Sequence, residues 1–315
     1  MKIAVLDKDT LGLDIDLSPI YALGEVSEYP TTAPEEVADR VADAEVVIIN
    51  KIKLGEQNLS SAQNLKLICV AATGYDNIDT AYCKERGIAL CNVPGYSTVS
   101  VAQIAVSMAL SLVNRQDEYR DFVKSGKYSE SGLANKLTPV YHEISSLKWG
   151  ILGGGGIGMK VAEVASAFGS EVLVFRRKQE GKFPLADIDT ICRECDIISV
   201  HLPLSDETRG ILSRDRIAMM KKTAIVINTA RGAVTDEKAL ADAIKENRIG
   251  GLGVDVYSTE PFPKEHPFFE IAGYPNVILT PHMAWGSKEA RARCVEEMAK
   301  NMEAFFSGDI RNRIV

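Results

Sequence analysis

The stretch WGILGGGGIGMKVAEVASAFGSEVLVF, residues 149–175, carries the strongest structural signal, because it places glycines in the frame G-x-G-x-x-G between an apolar run and an amphipathic segment. Gly153 permits a tight turn, Gly155 lets the backbone approach a pyrophosphate, and Gly158 allows a helix to pack closely on a strand. The start of that helix offers unpaired N–H groups to the anion. This context predicts a dinucleotide-binding unit; the alternative is a glycine-rich turn of purely structural use.

Apolar runs separated by polar or helical segments lie on both sides of this stretch. They occupy residues 147–153, 171–175, 196–202, 224–230, 251–257 and 276–282 in the second part of the chain, and residues 2–7, 45–50, 65–72 and 87–93 in the first. Such alternation is typical of parallel sheets flanked by helices. The sequence therefore predicts the α/β class, with two Rossmann-like, doubly wound parallel sheets.

Two helical segments mark the boundaries between the two series. Residues 97–116 form a long apolar stretch without Gly or Pro that begins with Ser and Thr, which predicts a largely buried helix joining two domains. After His282, helical periodicity continues to Gly308, and a helix there can carry the chain back to the first domain. The alternative is a pair of independent α/β domains with no shared site.

The composition is that of an ordinary globular protein, with 315 residues of which 46% are hydrophobic and 25% are charged. The net charge of -7 argues against a general nucleic-acid or anionic-membrane surface. The sequence shows neither a cationic, apolar leader nor an apolar run of membrane-spanning length, which predicts a cytoplasmic location. Cys192 and Cys195 form a C-x-x-C pair without a second pair at zinc-site spacing, so we expect structural cysteines and no metal site.

The run EVLVFRRKQE, residues 171–180, ends its strand pattern in three cations, Arg176, Arg177 and Lys178. Arg176 lies close to the position where NAD-binding units carry a carboxylate for the ribose hydroxyls. A guanidinium there would attract a 2′-phosphate, since its planar fork donates two parallel hydrogen bonds to phosphate. The cations therefore predict NADP(H) in preference to NAD(H); the alternative is a solvated turn whose charge Glu180 offsets.

Three motifs stand at predicted strand ends, where ligands bind in open parallel sheets: NTARG (228–232), STEP (258–261) and LTPHMAW (279–285). Hydride addition to a 2-oxo acid needs a cation for the carboxylate and carbonyl, a proton donor for the carbonyl oxygen, and a group that keeps the donor protonated. Arg231, His282 and Glu260 are residues of these types. A neighbouring carboxylate favours a protonated histidine and orients its ring. Each residue alone has an ordinary structural explanation; together, behind a dinucleotide fingerprint, they indicate catalysis.

The remaining histidines indicate no proton transfer. His142 and His266 lie in polar or proline-rich segments, so we expect both side chains to be exposed to solvent. His201 ends the apolar run 196–202, and we expect it to line the cofactor crevice.

Motifs over nearly the full length resemble those of the D-isomer-specific 2-hydroxyacid dehydrogenase family. They are ATGYDNID (72–79), NVPGYST (92–98), GGGGIG (153–158), CDIISVHLPLSDETRG (195–210), INTARGAVTDEKAL (227–240), GVDVYSTEP (253–261) and LTPH (279–282). The resemblance implies a flavodoxin-like substrate-binding domain over residues 1–98 and 288–315, and a dinucleotide-binding Rossmann domain over residues 99–287. It also implies an active-site cleft between the two domains.

The resemblance also implies roles for single residues. Arg231 is expected to bind substrate, His282 to act as acid and base, and Glu260 to be its partner. The substrate is expected to contact Thr73, Gly74, Arg231 and His282, with its carboxylate near the backbone of Thr73 and Gly74. The cofactor is expected to contact Thr73, Gly153, Gly155, Gly156, Ile157, Gly158, Arg176, Arg177, Lys178, Leu202, Thr229, Ala230, Arg231, Asp255, His282 and Trp285, with the nicotinamide carboxamide near Asp255.

Within the family, NKIKL (50–54), DFVKSGKYS (121–129) and HMAWGSKEA (282–290) are most similar to glycerate dehydrogenases, also called hydroxypyruvate reductases. This similarity implies reduction of hydroxypyruvate or glyoxylate to D-glycerate or glycolate, by a homodimer with residues 115–145 as a candidate arm. Arg176 stands where many members have Asp, so NAD preference does not carry over. The open alternatives are specificity for pyruvate or phenylpyruvate, phosphite oxidation, and a dinucleotide-sensing interaction protein on the same fold.

Overall fold

The structure is a computed structural model that describes residues 1–177 and 181–315. The chain divides into two compact units, one formed by Met1–Ser97 with Trp285–Val315 and the other by Thr98–Ala284. Each unit is built on its own parallel sheet, so the predicted α/β class with two doubly wound sheets is confirmed.

The described residues contain eleven strands and twelve α-helices. The strands are β1 (Lys2–Val5), β2 (Glu25–Glu28), β3 (Val46–Ile49), β4 (Leu67–Val70), β5 (Ala89–Cys91), β6 (Lys148–Leu152), β7 (Glu171–Phe175), β8 (Ile197–Val200), β9 (Ile225–Asn228), β10 (Gly251–Val254) and β11 (Val277–Leu279). The α-helices are α1 (Ser18–Tyr21), α2 (Val37–Val41), α3 (Glu56–Leu59), α4 (Thr80–Arg86), α5 (Thr98–Val113), α6 (Gln116–Lys124), α7 (Lys127–Ser131), α8 (Gly156–Ala167), α9 (Ile188–Glu194), α10 (Arg214–Ala218), α11 (Glu237–Lys245) and α12 (Lys288–Ser307). Short 3-10 helices cover Lys8–Leu11, Pro34–Glu36, Ile144–Ser146, Gly232–Val234 and Phe269–Ile271.

The sheet of the first unit has the strand order β2-β1-β3-β4-β5 with parallel pairing, which is the flavodoxin-like order. Its central strands are buried on both faces, and for this reason they read as continuous apolar runs. Ile3 and Val5 pack on the face that α12 covers with Met298 and Met302, whereas Ala4 belongs to the core of the opposite face. Helix α12 therefore belongs to the core of the unit that the chain had left at Ser97.

Strand β2 is the element of this sheet that the sequence analysis did not predict. Its sequence EVSE alternates exposed and half-buried residues, because β2 pairs on one side with β1 and ends the sheet. A short, charged edge strand lacks the apolar run that identifies the central strands, and its charges discourage pairing with other chains.

The sheet of the second unit has the order β11-β10-β9-β8-β6-β7 with parallel pairing. Val174 of β7 also bridges in parallel to Leu185, through its N–H to Pro184 O at 2.9 Å and its O to Ala186 N–H at 3.1 Å. This bridge supplies the position of the third strand in the classic dinucleotide-binding order. The strand order reverses between β6 and β8, so the ligand crevice of such a sheet is expected at their carboxyl ends.

Helices cover both faces of this sheet. Helices α5 and α8 pack on one face around Trp149 and Ile151, whose neighbour Leu152 points into the core of the other face. Among the described residues no single helix is long and apolar enough to span a membrane; α5 and α6 together reach the necessary length and composition but are bent by 62°.

The six cysteines are free and buried. Burial raises the pKa of Cys192 to about 11 and that of Cys195 to about 12, so both thiols stay protonated near neutral pH. Cys195 packs against Gly150 of β6, where an added Cβ would lie 3.0 Å from its sulfur. The C-x-x-C pair is therefore part of the core, as a structural role requires.

Candidate active site

The glycine-rich turn between β6 and α8 needs its glycines for steric reasons. Gly153 has a φ of 114°, and a Cβ on it would lie 2.6 Å from the carbonyl oxygen of His201 on the neighbouring strand end. A Cβ on Gly158 would lie 1.9 Å from the carbonyl oxygen of Gly153, so α8 packs directly on the turn. A Cβ on Gly155, in contrast, would meet no atom of the described residues within 4 Å. Its backbone is therefore open to a ligand at the start of α8.

Four polar atoms at the carboxyl ends of β7, β8 and β9 are shielded from solvent and have no hydrogen-bond partner within residues 1–177 and 181–315. They are Arg176 Nε, both ring nitrogens of His201, and Thr229 Oγ1. Buried polar groups are nearly always paired, so their clustering at the edge of the glycine-rich turn favours a polar ligand there. A dinucleotide, with its ribose hydroxyls and phosphates, fits this set of donors and acceptors.

Burial lowers the pKa of His201 from 6.5 to about 3, so its imidazole is neutral at physiological pH. A neutral ring can donate one hydrogen bond and accept one. His201 is therefore equipped to bind a hydroxyl group and is unsuited to supply a proton.

Arg176 and Arg177 have different environments although they are adjacent. The aliphatic part of Arg176 lies on the turn, where a Cβ on Gly154 would be 2.6 Å from Arg176 Cδ, and the guanidinium lies beside Gly181. Arg177 is exposed and forms an ion pair with Glu207. Lys178, the third predicted cation, lies outside the described residues. Of the two cations that the structure describes here, Arg176 is the one that lies against the glycine-rich turn.

The loops after β10 and β11 bring Glu260 and His282 together, with His282 Nδ1 2.6 Å from Glu260 Oε2. Their side chains are 31% and 24% exposed, so the pair is accessible to a small molecule. The carboxylate therefore orients the imidazole through Nδ1.

Asp255, the residue directly after β10, fixes the turn that carries His282. Its buried carboxylate accepts hydrogen bonds from Thr280 Oγ1 at 2.5 Å and from the N–H groups of Met283 and Ala284, each at 2.9 Å. His282 has a φ of 51°, a left-handed conformation that few non-glycine residues adopt. The three hydrogen bonds around it compensate for this local strain.

Arg231 stands at the start of the 3-10 helix that follows β9. Asn228, fully buried, accepts the N–H of Ala230 at 3.0 Å and donates to the carbonyl oxygen of Arg231 at 3.0 Å. A Cβ on Gly232 would lie 2.1 Å from the carbonyl carbon of Tyr257, so this turn packs closely on the loop that carries Glu260. The backbone of Gly232, directly after Arg231, therefore lies against the backbone of Tyr257 and Ser258.

Comparison with known proteins gives the family of the chain. Residues 106–284 match the model described as the NAD binding domain of D-isomer specific 2-hydroxyacid dehydrogenases. Over 99% of its length the chain is 36% identical to the glycerate dehydrogenase of Methylorubrum extorquens, of which the match covers 98%. The chain belongs to the D-isomer specific 2-hydroxyacid dehydrogenase family.

Other relatives of this dehydrogenase support the assignment. A hydroxypyruvate reductase of Blautia hydrogenotrophica is 33% identical, with 98% of each chain covered. An acyclic imino acid reductase in complex with NADPH and D-Arg is similar in structure, with a TM-score of 0.86, 29% identity and full coverage of both chains. The D-lactate dehydrogenase of Aquifex aeolicus, complexed with NAD and lactic acid, has a TM-score of 0.84 and 30% identity, with 98% of this chain and 96% of that chain covered.

The protein is therefore an oxidoreductase that uses a nicotinamide dinucleotide. Four predicted site residues are held in place within the second unit. Ile157, Leu202 and Ala230 are partly buried against core side chains. Gly156 is the first residue of α8. The strand ends thus present a continuous edge of predicted cofactor residues.

Three predicted site residues lie in the first unit of the dehydrogenase. Thr73 follows β4 and donates its hydroxyl to Val93 O at 2.9 Å, and Gly74 comes next in the chain. Trp285 packs edge-on against Tyr96, with ring centroids 6.3 Å apart. These contacts fix both segments within the first unit.

One expectation was wrong: His266 is buried, only 7% exposed, and its ring lies against Glu237. The proline-rich context suggested a surface loop, but aromatic residues that flank His266 in sequence fold over it. The roles of Glu237, Asn228 and Asp255 as loop anchors were also missed. For Asn228 and Asp255 the available signal was a polar residue at the carboxyl end of an apolar strand pattern. The hydrogen-bond partners of Asp255 and Glu237 lie more than twenty residues away in sequence.

Proposed function

We propose that this dehydrogenase reduces a small 2-oxo acid, hydroxypyruvate or glyoxylate, to D-glycerate or glycolate with NADPH. The observation that carries the proposal is the pairing of His282 Nδ1 with Glu260 Oε2 at 2.6 Å, beside the segment that holds Arg231. The names of the similar glycerate dehydrogenase and hydroxypyruvate reductase support the substrate class.

The reduced nicotinamide, when bound, supplies a hydride to C2 of the 2-oxo acid. The guanidinium of Arg231 binds the substrate carboxylate and polarises the carbonyl group. Protonated His282 donates the proton on Nε2 to the carbonyl oxygen, and the product is a 2-hydroxy acid. Positive charge from both side chains stabilises the alkoxide that develops, while Glu260 orients the imidazole and balances its charge.

For the first unit we propose substrate binding through Thr73 and Gly74. They follow β4 at the carboxyl edge of the parallel sheet, the edge at which such sheets bind ligands. For the second unit we propose cofactor binding by the glycine-rich turn and by the strand ends that carry Arg176, Thr229 and Asp255.

The preference for NADPH rests on Arg176. A guanidinium beside the glycine-rich turn attracts a 2′-phosphate, whereas a carboxylate at this point would repel it. Similar structures include complexes with NADPH and with NAD, so family membership leaves the choice to such local residues.

We also propose a homodimer built on the segment 115–145. This segment exposes large apolar side chains, among them Leu133 (67%), Leu137 (72%) and Val140 (68%). Exposed apolar clusters of this kind favour burial against another chain. A sedimentation equilibrium mass equal to one chain across the micromolar range would contradict the dimer.

The test of the proposed reaction is a kinetic matrix of NADH and NADPH against hydroxypyruvate, glyoxylate, pyruvate and phenylpyruvate, with phosphite assayed in the oxidative direction. We expect the highest kcat/KM with hydroxypyruvate or glyoxylate and NADPH. Turnover confined to pyruvate, phenylpyruvate or phosphite would contradict the proposed substrate and identify another one. If no 2-oxo acid leads to oxidation of NADH or NADPH, the proposed reaction is refuted.

A further inference from the structure

Glu237 is a buried carboxylate at the first position of α11, with a side chain only 9% exposed. Its Oε1 accepts the N–H of Ser258 at 2.8 Å, and its Oε2 accepts the hydroxyl of Ser258 at 2.5 Å. Both bonds reach the loop that carries Glu260 two residues later. Helix α11 thus fixes the backbone and the side chain of Ser258 through one carboxylate.

His266 completes the anchor from the other side. Its Nε2 lies 3.1 Å from Glu237 Oε2, and its Nδ1 accepts the N–H of Phe268 at 3.2 Å. Because Nδ1 is an acceptor, the proton of the neutral ring is on Nε2, which donates to Glu237. The rings of Tyr257, Phe262 and Phe268 surround the imidazole at centroid distances of 5.0–6.1 Å, so they shield most of this hydrogen bond from solvent.

The anchored loop is coupled to the reacting pair by short steps. The N–H of Tyr257, the residue before Ser258, donates to Glu260 Oε1 at 2.9 Å. The hydroxyl of Tyr257 donates to Thr280 O at 2.8 Å, two residues before His282. The backbone of Gly232 also packs against this loop, since any Cβ at Gly232 would overlap the backbone of Tyr257 and Ser258.

We propose that Glu237, Ser258 and His266 form a positioning network that aims the Glu260 carboxylate at His282; this rests on the proposed function. The network consists of positioning residues, because it acts on the reaction through Glu260. Oε1 of Glu260 is fixed by Tyr257, so Oε2 remains directed at the imidazole. Without the anchor, the loop can shift, and a displacement of about 1 Å is enough to lower turnover roughly a hundredfold.

The main test is Glu237→Gln in the full-length enzyme. The amide keeps the size of the side chain. Its NH2 group, however, would face the Ser258 hydroxyl and His266 Nε2, the two donors whose hydrogen bonds Oε2 accepts in the wild type. We expect kcat for the best 2-oxo acid to fall about tenfold to a hundredfold, with KM for NADPH within about twofold. The solvent deuterium isotope effect on kcat should rise, since proton donation from His282 becomes a slower step.

Two substitutions at His266 provide a rescue comparison. His266→Gln keeps a donor directed at Glu237, whereas His266→Leu keeps apolar volume and removes the donor. The network predicts a higher kcat for His266→Gln than for His266→Leu, while packing alone predicts the reverse order.

The matched control is Asp236→Ala, which removes the N-cap that accepts Ala239 N–H at 2.8 Å on the same helix. We expect a lower Tm and unchanged kcat. A Glu237→Gln enzyme with wild-type kcat overturns the network. Loss of kcat, NADPH affinity and Tm in parallel, with an unchanged isotope effect, also overturns it in favour of a merely structural role. Absence of turnover in the wild-type enzyme refutes the proposed function instead.

Discussion

Two regions of the second unit differ in how their buried polar groups are hydrogen-bonded. The first is formed by the ends of β7, β8 and β9, and the second by the loops after β10 and β11. At the first, Arg176 Nε, the His201 ring and Thr229 Oγ1 have no hydrogen-bond partner in the described part of the chain. At the second, Asp255 accepts three hydrogen bonds and Glu260 accepts bonds on both oxygens. The predicted cofactor edge thus leaves buried polar groups for a ligand to pair, whereas the loops proposed for catalysis are organised by the protein itself.

The largest expected effect is that of His282→Ala. Loss of the proton donor should lower kcat by about 10²- to 10⁴-fold, while NADPH affinity, measured by fluorescence titration, stays near the wild-type value. Wild-type turnover on the best 2-oxo acid would refute the role of His282. An equal loss of NADPH affinity would show that the two regions are not separable.

Asp255→Asn tests whether the catalytic turn is organised by the protein. The amide NH2 would face a backbone N–H in place of an acceptor, so the turn at His282 should rearrange and kcat should fall about tenfold to a hundredfold. Thr280→Val removes one of the three hydrogen bonds and should cost less. Equal kcat values for wild type, Asp255→Asn and Thr280→Val would contradict this view.

Arg176→Asp tests the cofactor edge. Exchange of a guanidinium for a carboxylate should lower the ratio of kcat/KM for NADPH to that for NADH by about tenfold to a hundredfold, as expected for losing a hydrogen bond to a charged group. Arg177→Asp, at the exposed residue paired with Glu207, should change the ratio less. An unchanged ratio in both variants would favour the solvated-turn interpretation.

The smallest effect is expected from His201→Gln and concerns stability. Because burial lowers the pKa of His201 from 6.5 to about 3, the unfolded chain binds a proton here that the folded chain does not, and stability falls as the pH drops below 6.5. From about pH 7 to pH 5 this group contributes a loss of about 2 kcal/mol at most. Urea unfolding should show a smaller loss for His201→Gln than for the wild type; equal losses would contradict the assignment.

Sequence reasoning predicted the central strands, the buried helix α5 and the terminal helix α12, because each has an apolar pattern of sufficient length. It missed β2, a four-residue edge strand that alternates exposed and half-buried residues and has no apolar run. It also misjudged His266, since the burial of a loop histidine depends on which rings fold over it. The rings of Phe262 and Phe268 are close to His266 in sequence, but whether they pack on it depends on the path of the loop.

The sequence by itself determined the family and supplied the side chains that the proposed chemistry uses. The glycine frame at Gly153–Gly158 imposes a turn by steric necessity, and Arg231, Glu260 and His282 have side chains suited to oxo-acid reduction. Only the tertiary structure decided that Glu260 meets Nδ1 of His282, that Asp255 fixes the turn that carries His282, and that Glu237 and His266 anchor the loop that carries Glu260. These relations depend on which strand ends become neighbours in the sheet, and that order is set by packing of the whole unit.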